Sequence, residues 1–235
     1  MVNFIKKERY GYEDLCQIVS ILRSKDGCPW DREQTHASIR RNLLEEAYEA
    51  CEGIDLDDAA LMQEEFGDVL LQVVFHTDIE QDRGRFTMAD VIDTVSKKLV
   101  YRRPHVFGNM SAEDWDWEEM KKQEKGTETQ GDAMEAVAKT LPALIRAEKV
   151  QKKAKKAGCT WASPKAAAER AKKALDAYLA TGSEASLTEA IFCLAGTGVD
   201  CETLLHRRCD AFIRHFSDAE KTNAVPDCPE SLLQE

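Results

Sequence analysis

The chain is expected to be all-α, a helical bundle of two tandem units. Three observations lead there. Apolar residues recur with the 3.6-residue helical period over most of the length. No run of alternating β-branched residues bounded by hairpin turns occurs. A polar, glycine-bounded stretch, GTETQG from Gly126 to Gly131, breaks the pattern near the middle, as a linker would.

Each element follows from its own pattern. Leu15, Ile18, Val19 and Leu22 mark a first helix that ends before the turn Asp26-Gly27-Cys28-Pro29. Ile39, Leu43, Ala47 and Ala50 form the apolar face of a second. A long third helix runs from about Asp57 to Arg83, through Leu61, Phe66, Val69, Leu70, Val73 and Val74. It is apolar nearly all round between Phe66 and Phe75, which predicts burial on more than one side. Gly67 within it is expected to let a neighbouring helix approach closely. Thr87 is placed as an N-cap with Asp90 at the favourable third position, and Val91, Val95 and Leu99 continue a fourth helix. Beyond the linker, Leu141 to Lys156 reads as a basic amphipathic helix. Ser163-Pro164 starts an alanine-rich helix reaching about Ala180, and a last helix spans roughly Cys201 to Phe216. The polar tail after Ser217 is expected to be loose. The predicted division is therefore a first unit at 1–125, a linker at 126–133, a second unit at 134–217 and a tail at 218–235.

Composition excludes several classes. A formal charge of -11 and a pI near 5.1 argue against a nucleic-acid or membrane-surface binder. No apolar run approaches the ~18 residues that span a bilayer, and the start shows no signal-peptide core. The eight cysteines are scattered without a Cys-x-x-Cys pair, so reduced thiols in a cytoplasmic protein are expected.

The chemistry is concentrated in two acidic clusters, Glu45-Glu46-x-x-Glu49 and Glu65-x-x-Asp68, separated by residues 50–64. Residues three or four apart share a helix face. Two such helices packed together would gather four carboxylates, which repel one another unless protonated or neutralised by a cation. Asp68 is the telling residue, because it is embedded in Phe66-Gly67-Asp68-Val69-Leu70. An unpaired charge in that setting is costly. Oxygen-only ligands suit a hard cation such as Mg²⁺.

A weak internal repeat is also visible. GCPWDREQTHASIRRNLLEEAYEA can be laid against GCTWASPKAAAERAKKALDAYLA. Where the first copy has Glu45, Glu46 and Glu49, the second has Lys172, Lys173 and Asp176, with no Glu-x-x-Asp after it. That pattern places one functional site per chain, in the first half.

GCPWDREQTH, LLEEAYEA, EEFGDVLLQVVFH and KLVYRRPHVFG together resemble the MazG nucleoside triphosphate pyrophosphohydrolases, over about Leu15 to Lys125. LPALIRAEKVQKKAKKAG and AFIRHF resemble the family's second unit more weakly, over Leu141 to Phe216. The resemblance implies an all-α homodimer that converts (d)NTPs to monophosphate and pyrophosphate with Mg²⁺, Mn²⁺ being a possible substitute. It places the metal ligands on Glu46, Glu49, Glu65 and Asp68, with Glu45 completing the motif. Two departures stand out: Arg103 replaces the first histidine of the usual Arg-Arg-His-Pro-His, and the acidic motif of the second unit is lost.

Around that core, Glu45 or Glu49 is assigned as general base. Lys98, Arg102 and Arg103 near the end of the fourth helix, with Lys121 and Lys125 beyond, are candidate phosphate contacts, led by Arg102 as the better fork. Trp30 is a candidate for stacking on the base, or else a core residue, with Gln34 or Asp31 for polar readout. His36 and His76 are read as structural. Three other functions compete with this reading. A di-iron bundle wants two Glu-x-x-His motifs, and only Glu33 to His36 fits. A non-catalytic acidic dimer that regulates a partner would tolerate decay in both units. Base-specific dUTP, dCTP or phosphoribosyl-ATP pyrophosphohydrolases share the acidic helices, but GCPWD and PHVFG favour the permissive MazG branch.

Overall fold

The computed structural model describes residues 4–117, 120, 123–124, 129–222, 224–226 and 228–233. Every regular element among them is helical. The chain divides into two compact units, Met1–Met120 and Lys121–Glu235. Of the proposed linker at 126–133, residues 126–128 lie outside the described residues, whereas Thr129 caps a helix over Gln130–Glu135 by accepting from the Asp132 amide at 3.1 Å.

The first unit contains α1 (Tyr12–Arg23), α2 (Pro29–Glu33), α3 (His36–Asp55), α4 (Ala59–Asp82), α5 (Met88–Tyr101) and α6 (Pro104–Phe107). Local signals set these bounds. The Thr35 hydroxyl accepts from the Ser38 amide at 3.2 Å and starts α3. Asp58 accepts from the amides of Ala60 and Leu61 at 2.9 and 3.1 Å and starts α4. Thr87 and Asp90 form the expected capping box at α5, the Asp90 carboxylate accepting from the Thr87 amide at 2.8 Å. Gly27 is required between α1 and α2, since a Cβ there would lie 2.2 Å from the Ile21 carbonyl oxygen.

α3 and α4 form the main antiparallel hairpin, and α1 packs on α4. Val19, Ile39, Val74, Phe75 and Ile79 make the core, with Leu15, Cys16, Leu71 and Met88 against it. The core thus lies at the C-terminal half of α4. Toward the N-terminal half the apolar girdle is open: Phe66 is 50 % exposed and Leu70 38 %. Burial on more than one side is therefore not met within the unit, because α5 touches α4 only lightly. Gly67 differs from expectation too, since a Cβ there meets no atom within 4 Å. The close approach is at Gly53, whose Cβ would sit 3.0 Å from the Met62 amide.

A polar network crosses this core. Glu80 is buried and accepts from His36, Arg83 and Arg85. His36 Nδ1 and His76 Nδ1 are 2.7 Å apart, so a single proton is shared between them. Arg23 bonds Asp78 at 2.6 Å and Asp82 at 3.0 Å while stacking on Phe75. Both histidines thus have structural partners.

The second unit contains α7 (Gln130–Glu135), α8 (Ala143–Lys156), α9 (Pro164–Thr181), α10 (Glu184–Ala195), α11 (Cys201–Lys221) and a 3₁₀ turn at Pro229–Leu232. Ser163 caps α9 by accepting from the Ala166 amide at 3.0 Å, and Gly182, at φ 68°, ends it. α9 and α10 form a hairpin as α3 and α4 do. The tail differs from expectation. α11 continues to Lys221, and the last turn docks on it through buried Leu232 and an Arg208 bond to the Leu233 carbonyl at 3.0 Å.

Bonds from Arg85 and His36 hold the Glu80 carboxyl well below its usual range, at about 2. A depressed folded pKa gives stability that is complete above the unfolded value of 4.5 and is lost as pH falls toward 2. Burial beside His36 also depresses His76, so it too favours unfolding as acid rises. Urea midpoints measured from pH 7 to pH 2 are expected to fall steeply below 4.5 in the wild type and more gently in Glu80→Gln. Parallel profiles would contradict the assignment.

Candidate active site

The hairpin is what brings the two acidic motifs together. Helical spacing puts Glu46 and Glu49 on one face of α3, and Glu65 and Asp68 on one face of α4. The connection is tight. Gly53 packs against Met62, and Asp57 takes a left-handed conformation (φ 52°), which Asp tolerates better than most residues. One carboxylate oxygen each from Glu46, Glu49 and Glu65 lies within 4.8 Å of the other two. Among the described residues this is the one group of three or more potential metal ligands at such spacing.

The electrostatics reflect that crowding. Burial raises the Glu46 pKa most, followed by the charges of Asp68 and Glu49, a hydrogen bond with Glu49 and the charge of Glu65. Glu65 is raised by desolvation first, then by Glu49, Asp68, Glu64 and Glu52. Asp68 is outside the 4.8 Å group, yet its charge acts on both Glu46 and Glu65. Oxygen-only donors of one sign, short of protons or counter-cations, suit a hard divalent ion.

Glu45 is not part of this cluster. It is half-exposed and pairs with Arg41 one turn earlier at 3.3 Å. Glu52, by contrast, acts on Glu65 and was not anticipated, although its place one turn after Glu49 on the same helix face was a usable signal.

The remaining candidates fall into three settings. Trp30 sits on α2 and is 60 % exposed, which excludes the core alternative. Gln34 has both ends of its amide engaged: Nε2 donates to the Trp30 carbonyl at 2.9 Å, and Oε1 accepts from Ser38 at 2.7 Å. Its role here is to fix the α2 turn, and Asp31 is half-buried in the same turn.

At the end of α5, Lys98 is half-buried. Arg102 is only 7 % exposed and stacks on Trp117 at 5.1 Å. Arg103, more exposed, stacks on the same ring at 5.0 Å. The Trp115 indole donates to the Arg102 carbonyl at 2.7 Å and packs on His105. Trp115 and Trp117 were not singled out from the sequence, although the Trp-Asp-Trp spacing could have flagged them. Arg102, expected to lead the phosphate contacts, is thus nearly buried where it stacks on Trp117. Lys121 and Lys125 lie outside the described residues.

Comparison with known proteins identifies the family. The family profile described as the MazG nucleotide pyrophosphohydrolase domain matches residues 34–107, which span both acidic motifs and the Arg102–Phe107 segment. The Nucleoside triphosphate pyrophosphohydrolase/pyrophosphatase MazG of Thermotoga maritima is 37% identical over 219 residues, covering 89% of this chain and 86% of that protein. The Nucleoside triphosphate pyrophosphohydrolase of Escherichia coli K12 is 32% identical over 230 residues, covering 90% and 88%. A mycobacterial relative of the same name, from Mycolicibacterium smegmatis, is 40% identical over 153 residues, which cover 62% of this chain and 47% of that protein. With extensive similarity to full-length relatives and the acidic helical hairpin in place, the chain belongs to the MazG nucleotide pyrophosphohydrolase family, a family of hydrolases that act on acid anhydrides.

Proposed function

We propose that the chain hydrolyses (deoxy)nucleoside triphosphates between the α- and β-phosphates, releasing monophosphate and pyrophosphate, with broad tolerance of the base. The observation that carries this reading is the carboxylate cluster of Glu46, Glu49 and Glu65, with Asp68 acting on it, on a hairpin of the MazG type. Those four residues would hold a divalent cation, Mg²⁺ or Mn²⁺, whose role when bound is to neutralise phosphate charge and polarise the scissile anhydride.

The chain's own groups do the rest. Glu49 is the exposed member of the cluster, so it is placed to accept a proton from the attacking water. Glu45, committed to Arg41, is the weaker candidate for that step. Lys98 and Arg103 are assigned to the phosphates, and Arg102 to holding their segment against Trp117. Trp30 offers an exposed ring on which any base can stack, which fits broad base tolerance.

The reading also includes a homodimer. Phe66 and Leu70 are exposed in α4, as are Ile92, Val95 and Leu99 in α5, and a second copy would cover them. No helix of the described residues is long and apolar enough to cross a membrane.

Pyrophosphate release from a panel of (d)NTPs tests the activity. Glu46→Gln combined with Glu49→Gln is expected to lower kcat by about 100-fold or more, the scale of losing a stabiliser of developing charge. Activity retained in that folded variant would move the site elsewhere in the chain. Sedimentation velocity tests assembly: the wild type should run as a dimer and Phe66→Glu/Leu70→Glu as a folded monomer. A monomeric wild type would contradict the dimer.

A further inference from the structure

The second unit lacks the acidic cluster and carries a strongly basic helix, α8. α8 carries Arg146, Lys149, Lys152, Lys153, Lys155 and Lys156 against one acid, Glu148, in a chain whose net charge is -11. With AYEA of α3 laid on AYLA of α9, Leu175, Asp176 and Leu179 stand opposite Glu45, Glu46 and Glu49, in place of the Lys172, Lys173 and Asp176 expected, and the one retained acid, Asp176, pairs with Lys172 at 2.8 Å. Nothing in that arrangement calls for a cation.

Between α8, the turn at 159–164 and the end of α10 lies a cavity of about 660 Å³. That is within the few-hundred to ~1,000 Å³ range of small-molecule sites. Trp161, the tryptophan of the second Gly-Cys-x-Trp motif, lines it. Its indole N–H donates to Gln151 Oε1 at 2.7 Å, and Gln151 Nε2 donates in turn to the Phe192 carbonyl at 2.6 Å. With its N–H committed, the indole offers a ligand only its π surface.

Gly196 makes this arrangement possible. A Cβ there would lie 2.3 Å from Gln151 Oε1 and 2.4 Å from Trp161 Nε1, so a larger residue would dislodge the pair. Lys152 and Lys155 stand on the α8 wall of the same cavity, both exposed, and Glu148 is the one carboxylate among its lining residues. An oriented aromatic face beside two lysines complements a molecule that has a flat ring at one end and anionic oxygens at the other.

We propose that this cavity is a second, metal-independent nucleotide site, in which a nucleoside phosphate stacks its base on Trp161 and sets its phosphates against Lys152 and Lys155. The site belongs to the second unit and catalyses nothing itself, since its one lining carboxylate, Glu148, stands without the further acids that would hold a cation. It gives the degenerate unit a sensing role for the same class of molecule that the first unit is proposed to cleave.

Isothermal titration of the full chain with ATP in EDTA tests this directly, because chelation removes the cation on which binding at the first unit depends. The expected result is saturable binding of one ATP per chain that survives Glu46→Gln/Glu49→Gln. Lys152→Ala/Lys155→Ala should weaken it at least tenfold, and Gly196→Val should do the same where its circular dichroism remains that of the wild type. A second readout uses exposed Cys159 in the cavity wall, whose alkylation, followed by peptide mass spectrometry, should slow when ATP is bound. Absence of saturable binding, binding indifferent to the two lysines, or a Cys159 that ATP leaves unprotected would each overturn the proposal. Inorganic triphosphate binding as tightly as ATP would also overturn it, by reducing the site to a phosphate patch.

Discussion

Like-charge repulsion on the α3–α4 hairpin is the constraint around which the first unit is organised. Glu46, Glu49 and Glu65 are held within 4.8 Å of one another, and Asp68 adds its field to theirs. Left alone, such a group pushes its two helices apart or takes up protons. Packing at the far end of the hairpin opposes that, where Val74, Phe75 and Ile79 meet Ile39 and Val19. The Glu80–His36–His76 network and the Arg23–Asp78 pair tie the same end with directional bonds. Stability is thus concentrated at one end of the hairpin and the electrostatic strain at the other, a division common where a site needs charges that folding disfavours.

Much of this was legible in the sequence because helical periodicity and acidic spacing are local properties. The limits of α3, α4 and α5 and the capping box at Thr87 and Asp90 need only neighbouring residues to be inferred. The gathering of Glu46, Glu49 and Glu65 needed one further step, that the two helices lie face to face. What was not legible depends on contacts distant in sequence. The Gly67 reading failed because periodicity does not say which side of a helix receives a neighbour, and the close approach falls at Gly53. The stack of Arg102 on Trp117, 15 residues later, is likewise a contact that local spacing does not give. The C-terminal tail read as loose from composition, yet Leu232 and the Arg208 bond anchor it to α11.

The two units show how one hairpin plan diverges. α9 and α10 pair as α3 and α4 do, but leucines stand opposite Glu45 and Glu49, and Asp176 alone keeps an acid, opposite Glu46. Where the first unit exposes Trp30, the second holds Trp161 in place through Gln151 and the absence of a side chain at Gly196. Removing the carboxylates abolishes the need for a cation and leaves the aromatic and basic parts of a nucleotide site.

The central claim is that the carboxylates of α3 and α4 gather around a divalent cation. Anomalous diffraction from crystals grown with Mn²⁺ tests it most directly, since the ion's position is read without reference to activity. An anomalous peak within coordination distance of Glu46, Glu49, Glu65 and Asp68, and absent in Glu46→Gln/Glu65→Gln crystals, is the predicted result. Saturating Mn²⁺ with no peak on the hairpin, or an ion bound by other residues, would contradict the account.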